Sequence, residues 1–234
     1  MSGQTLPASC ATGLRPTLRT QDCLTSVTSL CGRGGRRSMS EQLAIEAFER
    51  SGAWLKGHFV YTSGRHGADY LEKFRILEDP VATTALAGLI AARFRGSEVE
   101  LVAGPTTGGI ILAFEVARQL GVQAVYAERG PTDGWVLRRG FAVGSGTRVL
   151  IVDDIVTTGG SLEEMVACIE TAGGSVIGAG VLGDRTGGFR RLAVPFYACL
   201  TVEFPSYPAS ACPLCRAGTP LSAPRGSKPS PAAV

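Results

Sequence analysis

The feature that most constrains this chain is the stretch of residues 148–162, which reads RVLIVDDIVTTGGSL. Residues 149–152 form an uninterrupted apolar and mostly β-branched run, which is typical of a strand buried on both faces of a parallel sheet. Two carboxylates, Asp153 and Asp154, end this run, and a loop of threonine and glycine leads from them into a helical pattern. The stretch therefore predicts an α/β protein with this strand inside its sheet.

The loop after the two acids has the composition of an anion-binding site. Ligands of open α/β sheets bind beyond the carboxyl ends of the strands, and a helix N-terminus offers free N–H groups and a partial positive charge to a phosphate. Gly159 and Gly160 let the backbone approach the ligand, and Thr157, Thr158 and Ser161 add hydroxyl donors. The adjacent carboxylates can accept hydrogen bonds from hydroxyls, so the stretch predicts a sugar phosphate site. No lysine follows the glycines, which excludes a Walker A loop.

This order of apolar strand, two acids and Thr/Gly loop resembles the phosphoribosyl pyrophosphate signature of the type I phosphoribosyltransferases. A plain strand-to-helix turn with capping acids is the alternative, but capping needs one acid and leaves the two threonines unexplained. The resemblance implies a central, mainly parallel sheet flanked by helices, with a small N-terminal hood. It makes both acids catalytic and assigns phosphoribosyl pyrophosphate contacts to Asp153, Asp154, Ile155, Val156, Thr157, Thr158, Gly159, Gly160 and Ser161.

A second glycine-rich loop follows an earlier predicted strand, residues 99–103, in the sequence GPTTGGIILAFEVARQLG. Its backbone N–H groups form a cradle of phosphate size, which is a weak signal by itself. The resemblance makes it the pyrophosphate loop, with contacts from Thr106, Thr107, Gly108 and Gly109. Well-known members carry a lysine where Gly108 stands, so this charge is expected from elsewhere in the chain.

The mobile catalytic loop of the family corresponds to residues 128–141, ERGPTDGWVLRRGF. In the family this loop brings Lys, Arg and His to the neighbouring subunit's active site, whereas this segment is short and holds neither Lys nor His. We expect Arg129, as a catalytic residue, and either Arg138 or Arg139, with Arg138 preferred, to clamp the pyrophosphate, because a guanidinium pairs two phosphate oxygens at once. Surface arginines on an exposed hairpin are the alternative.

The segment GHFVYTSGRHGADYLEKFRIL, residues 57–77, narrows the resemblance to the orotate phosphoribosyltransferases. It predicts a strand at residues 59–61, a turn at 63–64 and a returning strand at 70–77. In that family the segment forms part of a hood over the base, which implies that residues 63–66 and Arg185 orient orotate, with Thr157 also near the base. The alternatives are a solvated hairpin tip for Arg65 and His66, and a surface charge on a strand edge for Lys73.

The resemblance implies an enzyme that transfers the phosphoribosyl group of phosphoribosyl pyrophosphate to orotate in UMP biosynthesis, giving orotidine 5′-monophosphate and diphosphate. The implied cofactor is Mg²⁺, held mainly by substrate oxygens without direct protein ligands, and the implied assembly is a homodimer. One alternative is a purine or xanthine phosphoribosyltransferase, against which the hood segment and Arg185 argue. The other is a regulator that senses phosphoribosyl pyrophosphate without turnover.

Metal-binding residues are few in this sequence. A metal held by the two histidines, His58 and His66, would still lack ligands, and no cysteine lies near them along the chain. Cys212 and Cys215 form a lone Cys-x-x-Cys, which is half of a zinc site. We expect two ordinary thiols there, and a four-thiolate site shared by two copies of the chain is the alternative.

Composition bounds the remaining possibilities. The formal net charge of +3 is too small to indicate nucleic acid binding, and no apolar run approaches the roughly eighteen residues of a membrane span. Seven scattered cysteines argue against a disulfide framework and favour a reducing cytoplasm.

The chain divides into one domain and two extensions. We assign residues 39–216 to the phosphoribosyltransferase domain, with the hood at about 40–78 and the core at about 79–204. Residues 1–38 and 217–234 are expected to be disordered. For residues 1–38 a flexible tail and a transit-like peptide are possible, but we favour a translation start at Met39 because regular patterning begins there.

Overall fold

The structure, a computed structural model, describes residues 38–61, 63–131, 134–189 and 191–223. No helix in these residues is long and apolar enough to cross a bilayer. In chain order the elements are α1 (Met39–Arg50), β1 (Trp54–Val60), β2 (His66–Leu71), α2 (Lys73–Leu77), α3 (Pro80–Phe94), β3 (Leu101–Pro105), α4 (Gly108–Leu120), β4 (Gln123–Arg129), β5 (Trp135–Leu137), β6 (Arg148–Val156), α5 (Gly160–Thr171), β7 (Ser175–Asp184), β8 (Phe196–Thr201), β9 (Ser206–Tyr207) and α6 (Pro213–Arg216), with a 3₁₀ turn at Ala209–Ala211 before α6.

A six-stranded sheet in the order β5-β4-β3-β6-β7-β8 forms the centre of the molecule. Its neighbouring strands are parallel except for β5, which pairs antiparallel with β4. The strand that the sequence places inside the sheet, β6, lies between β3 and β7. The predicted α/β architecture with a mainly parallel sheet is confirmed.

Alternate side chains of β6 pack into two apolar layers on opposite faces of the sheet. Leu150 and Val152 join the layer formed with α1, α3 and α4, whereas Val149 and Ile151 join the layer formed with α5. All four are fully buried. Burying an aliphatic side chain stabilises a fold by about 1.5–3 kcal/mol, so this unbroken apolar run fixes β6 in the interior.

A separate three-stranded antiparallel sheet, β1-β2-β9, forms the hood. The strand predicted at residues 70–77 is wrong, because β2 ends at Leu71 and residues 73–77 form the helix α2. The Glu72 side chain caps this helix by accepting a hydrogen bond from the Phe74 N–H at 3.4 Å. Ile76 and Leu77 then turn into the core. The chain thus leaves the hood through a helix that points its first residue, Lys73, at the central sheet.

Helix starts follow local capping chemistry. Asp79 caps α3 as its position before a proline predicts, since its carboxylate accepts from the N–H groups of Val81 at 2.9 Å and Ala82 at 3.2 Å. The cap of α1 is Ser38, whose hydroxyl accepts from the Glu41 N–H at 3.2 Å.

The C-terminal segment returns to the hood. After β8, the short β9 pairs with β2, and the following turn and α6 bring residues 217–223 alongside β1. The Ser222 N–H donates to the His58 carbonyl at 2.7 Å. Residues 217–223, which belong to the predicted C-terminal extension, are therefore in contact with the hood. The extensions predicted at the two ends otherwise lie outside the described residues.

Candidate active site

Three loops meet at one edge of the central sheet. They follow the carboxyl ends of β3, β6 and β7, which are adjacent parallel strands. The loops hold residues 106–107, 157–159 and 185–189, and the first two lead directly into α4 and α5. This edge is where open α/β sheets bind ligands, so the two glycine-rich loops of the sequence lie where their composition predicts.

The two acids at the end of β6 are buried. Asp153 is 8% exposed and Asp154 is 4% exposed. Each carboxylate accepts a hydrogen bond from the next backbone N–H, at 2.8 Å for Asp153 and 2.6 Å for Asp154. The second oxygen of Asp154 forms an ion pair with the Lys73 ammonium at 2.8 Å. These contacts hold both side chains in place. When both acids are ionised, Lys73 balances only one of their two negative charges.

Proton affinities reflect this crowding. Burial, and next the charge of Asp154, raise the pKa of Asp153 to about 7, although Lys73 opposes the shift. Burial alone would lower the pKa of Lys73, but the charge and hydrogen bond of Asp154 outweigh it and raise that pKa. Lys73 therefore stays protonated, and Asp153 takes up a proton near neutral pH.

The loop after β6, residues 157–159, leads into the N-terminus of α5, where the sequence predicts an anion-binding site. Gly159 has the left-handed φ of 88°, and an added Cβ would lie 2.1 Å from the Phe189 ring, so only glycine fits here. No side chain caps α5, which leaves its first N–H groups facing the loop. Thr157 and Thr158 are exposed beside them. The backbone donors, hydroxyls and helix dipole together suit a phosphate.

Ile155 and Val156, at the end of β6, are also predicted to contact phosphoribosyl pyrophosphate, and their side chains lie in different surroundings. Ile155 is half-buried and lines the cleft described below, whereas the Val156 side chain is 3% exposed and belongs to the apolar layer under α5. Any contact of Val156 with a ligand must therefore come from its backbone.

The loop after β3 lies beside Asp154. Thr107 precedes α4 without a side-chain cap, so the first N–H groups of this helix also lack a side-chain partner. A Cβ added to Gly108 would lie 2.2 Å from Asp154 Oδ2, so a lysine there would displace the acid or the loop. Lys73 contacts the same Oδ2 atom from the hood side. The charge that is expected near position 108 from elsewhere in the chain can therefore come from Lys73.

A cleft of about 270 Å³ joins the hood to the central sheet. It is lined by Tyr70, Leu71, Glu72, Lys73, Phe74, Asp154, Ile155, Thr157 and Arg185. Two predicted base-binding residues, Thr157 and Arg185, therefore share one cleft with an acid of the sugar site. A larger cleft of about 560 Å³ lies between β5 and α5, is mostly apolar and contains none of the predicted site residues.

Arg185 enters the small cleft from the end of β7. Its guanidinium carbon lies 4.8 Å from the Tyr61 ring centre and 5.4 Å from that of Phe204, which holds the charge between two aromatic rings. Its Nε atom is buried and has no hydrogen-bond partner among the described residues. A buried donor without a partner is costly, so this geometry favours an anionic ligand in the cleft.

The arginines of the β4–β5 segment lie elsewhere. Arg129 ends β4, where its guanidinium lies 3.9 Å from the Trp135 ring centre and pairs with Glu164 of α5. Arg138 is exposed after β5, and Arg139 pairs with Glu128 at 2.8 Å. None of the three lines the 270 Å³ cleft. Their predicted contact with pyrophosphate stays a prediction.

Two hood residues assigned to the base, Arg65 and His66, do not line the 270 Å³ cleft. Arg65 donates to the hydroxyl and carbonyl oxygens of Ser206 in β9. His66 is buried against His58, and both rings lie beside cysteine thiols. Lys73, by contrast, is a functional candidate rather than a surface charge on a strand edge. A five-residue helix is too short for a periodic signal, so only the packing of α2 reveals this position.

Comparisons with known proteins agree with this geometry. The phosphoribosyl transferase domain family matches residues 75–209, more than half of the chain. The chain is 41% identical over 190 residues to an orotate phosphoribosyltransferase of Caldanaerobacter subterraneus, covering 81% of this chain and all of the relative. It is 40% identical over 177 residues to that of Thermus thermophilus, covering 76% and 97%.

A solved structure shows the same fold. The orotate phosphoribosyltransferase from Aeropyrum pernix superposes with a TM-score of 0.57 at 28% identity, covering 68% of this chain and 93% of that one. Family match, relatives and fold all coincide with a buried acidic pair between two helix N-termini. The chain therefore belongs to the phosphoribosyltransferase family, and within it to the orotate phosphoribosyltransferases.

Proposed function

We propose that this enzyme transfers the phosphoribosyl group of phosphoribosyl pyrophosphate to orotate, giving orotidine 5′-monophosphate and diphosphate. The observation that carries the choice of base is Arg185, a partly buried cation with an unpartnered Nε atom, in the same cleft as Asp154 and Thr157. The carboxylate of orotate would supply the anion that this guanidinium lacks. A neutral purine would leave the buried donor unpaired.

Each part of phosphoribosyl pyrophosphate would bind to a different element of the site. The α5 N-terminus and its loop would bind the 5′-phosphate, and the α4 N-terminus would bind the diphosphate. Asp153 and Asp154 would accept hydrogen bonds from the ribose hydroxyls and stabilise the positive charge that develops on the sugar as the bond to diphosphate loosens. Lys73 would hold Asp154 in place and add a positive charge near the leaving group. The reaction then depends on positioning and electrostatics.

We also propose Mg²⁺ as cofactor. A hard cation of this kind takes six oxygen ligands and commonly binds through one or two carboxylates plus substrate phosphates. Asp153 and Asp154 offer such oxygens, but Lys73 already occupies one of them, so most ligands would come from the substrate. Bound there, the ion would neutralise charge on the leaving diphosphate.

The direct test is loss of orotate absorbance on addition of phosphoribosyl pyrophosphate and Mg²⁺ to the purified full chain. We expect turnover that requires both additions, and no product with adenine, hypoxanthine or xanthine in place of orotate. Binding of phosphoribosyl pyrophosphate by calorimetry without any turnover would contradict the transferase and favour a sensor. Turnover of a purine would contradict the assignment of the base.

Burial of Asp153 predicts a pH-dependent gain in stability when its charge is removed. The pKa of Asp153 is raised in the folded state to about 7, so the folded protein binds this proton more tightly than the unfolded chain does. The free energy of unfolding that the proton contributes is therefore lost as pH rises through that value. We expect Asp153→Asn, which keeps the acceptor oxygen, to raise the Tm of the ligand-free protein at pH 8.5 by several degrees, and by clearly less at pH 5. Differential scanning calorimetry measures both. The same change at the exposed Glu163 is the control, and an equal gain of Asp153→Asn at both pH values would contradict the prediction.

We propose a homodimer, supported by an apolar patch on α4. Ile111 is 43% exposed and Phe114 is 65% exposed, one turn apart on this helix. Large exposed aromatic side chains are more typical of an interface than of free surface. Phe114→Glu is expected to weaken the dimer at least tenfold in sedimentation experiments, whereas Val81→Glu, on the equally exposed α3 position, should leave it intact. A wild-type monomer at micromolar concentration would refute the proposal.

A further inference from the structure

We propose that His58, His66, Cys212 and Cys215 form a zinc site that fastens the C-terminal segment to the hood. Their four ligand atoms lie within 4.8 Å of one another, although the two pairs are about 150 residues apart in sequence. The β1–β2 hairpin brings the histidines together, and the return of the chain through β9 to α6 brings the cysteines to them. The expectation that the histidines lack further ligands is thus wrong.

The separations of the ligand atoms fit a tetrahedral ion. With zinc bonds of about 2.0–2.1 Å to nitrogen and 2.3 Å to sulfur, ligand atoms lie about 3.3–3.8 Å apart. His58 Nε2 is 3.6 Å from each sulfur, and His66 Nδ1 is 3.3 Å from the sulfur of Cys215. The two ring nitrogens are 2.9 Å apart, and an ion between them would widen this by about half an ångström.

The ring of His58 is oriented as zinc ligands require. Its other nitrogen, Nδ1, lies 2.8 Å from the backbone carbonyl oxygen of Thr219. When Nδ1 carries the proton and donates to this carbonyl, Nε2 is left with a free lone pair that faces the cluster. Zinc-bound histidines commonly make such a second contact, which fixes both tautomer and ring orientation. Thr219 lies in the segment beyond α6, so the tail itself contributes to the site.

Burial and ligand chemistry indicate a structural role. His58 and Cys212 are at most 1% exposed and His66 is 9% exposed, while Cys215 faces solvent. Two imidazoles and two thiolates favour zinc over hard cations, and four protein ligands leave no open position for a reacting water. The site is complete within one chain, so it differs from a four-thiolate site shared between two copies.

The zinc site would also support the base-binding cleft. Tyr61 lies between the two histidines in sequence, and Phe204 lies between β8 and β9 on the way to the cysteines. These are the two rings that hold the Arg185 guanidinium. Fixing the ends of both segments limits the movement of both rings. The expected consequence is a positioning role for the metal in orotate binding.

The test uses the untagged full chain, because an added histidine tag would bind metal itself. Inductively coupled plasma mass spectrometry should find one zinc per chain in the wild type and less than a tenth of that in Cys212→Ser/Cys215→Ser. Cys168→Ser, at a partly exposed thiol on α5, is the matched control and should keep one zinc. We expect the double variant to lose more than about 5 °C in Tm.

Two further measurements keep the proposal open to refutation if the double variant fails to fold. Replacing zinc with cobalt in the wild type should give the visible absorption of tetrahedral cobalt together with thiolate charge transfer. Removing the metal with a chelator should release two titratable thiols and raise the KM for orotate. Wild-type protein without zinc, a Cys212–Cys215 disulfide in freshly purified protein, or one zinc per two chains would each overturn the proposal.

Discussion

Asp154→Asn is expected to lower kcat/KM for phosphoribosyl pyrophosphate by about 100- to 1000-fold, the usual effect of removing one fixed electrostatic group from a transition state. The asparagine keeps the shape of the side chain and the acceptor for the Ile155 N–H, so the fold should be preserved. It removes the charge that we propose stabilises the sugar in the transition state, and it leaves the Lys73 ammonium without its partner. Steady-state kinetics with both substrates measure the loss.

The matched control for this prediction is Glu163→Gln. Glu163 lies near the start of α5 and pairs with Arg191 at the surface, so the substitution makes the same chemical change close to the site without touching it. We expect its kcat/KM within threefold of the wild type. If Asp154→Asn also kept its kcat/KM within threefold of the wild type, and circular dichroism showed both variants to be folded, the acid would take no part in the reaction.

Arg185→Ala is expected to raise the KM for orotate by about 10- to 150-fold and that for phosphoribosyl pyrophosphate by less than threefold. The range corresponds to about 1.5–3 kcal/mol, the contribution of a hydrogen bond to a charged group. The effect should fall on the base alone, because the guanidinium lies in the hood cleft between Tyr61 and Phe204 rather than at either helix N-terminus. Initial rates at varied concentrations of each substrate separate the two constants.

Arg191→Ala supplies the comparison for Arg185→Ala. Arg191 follows the same strand, is exposed and pairs with Glu163, so its removal tests whether any loss of positive charge near the site raises the KM. We expect no change in either constant. An equal rise in both constants for Arg185→Ala would exclude a role in recognising the base and would indicate a general disturbance of the site.

Several features of the site follow from local sequence because their physical causes are local. The apolar run of β6 requires burial on both faces, and the acids that follow it must lie at the carboxyl edge of the sheet. Gly159 and the uncapped start of α5, whose geometry suits a phosphate, lie within a few residues of each other. Asp79 caps α3 through hydrogen bonds that span three residues.

Other features depend on segments that are distant in the chain. From the sequence, Lys73 could be a surface charge on a strand edge. In the structure, the packing of α2 on the core places its ammonium against Asp154. From the sequence, no cysteine lies near His58. In the structure, the C-terminal segment places Cys212, 154 residues later, beside the His58 ring. Arg65 takes its hydrogen-bond partner, Ser206, from β9, 141 residues later in the chain.

The sequence by itself determined the α/β sheet, the acidic pair and the glycine-rich loop at the start of α5, because periodicity, capping and loop composition act over a few residues. Only the tertiary structure decided which cation faces Asp154, which residues line the 270 Å³ cleft and which four side chains meet at the proposed zinc site. Those contacts arise from the packing of the hood and the C-terminal segment against each other, and no local pattern encodes where two distant segments meet.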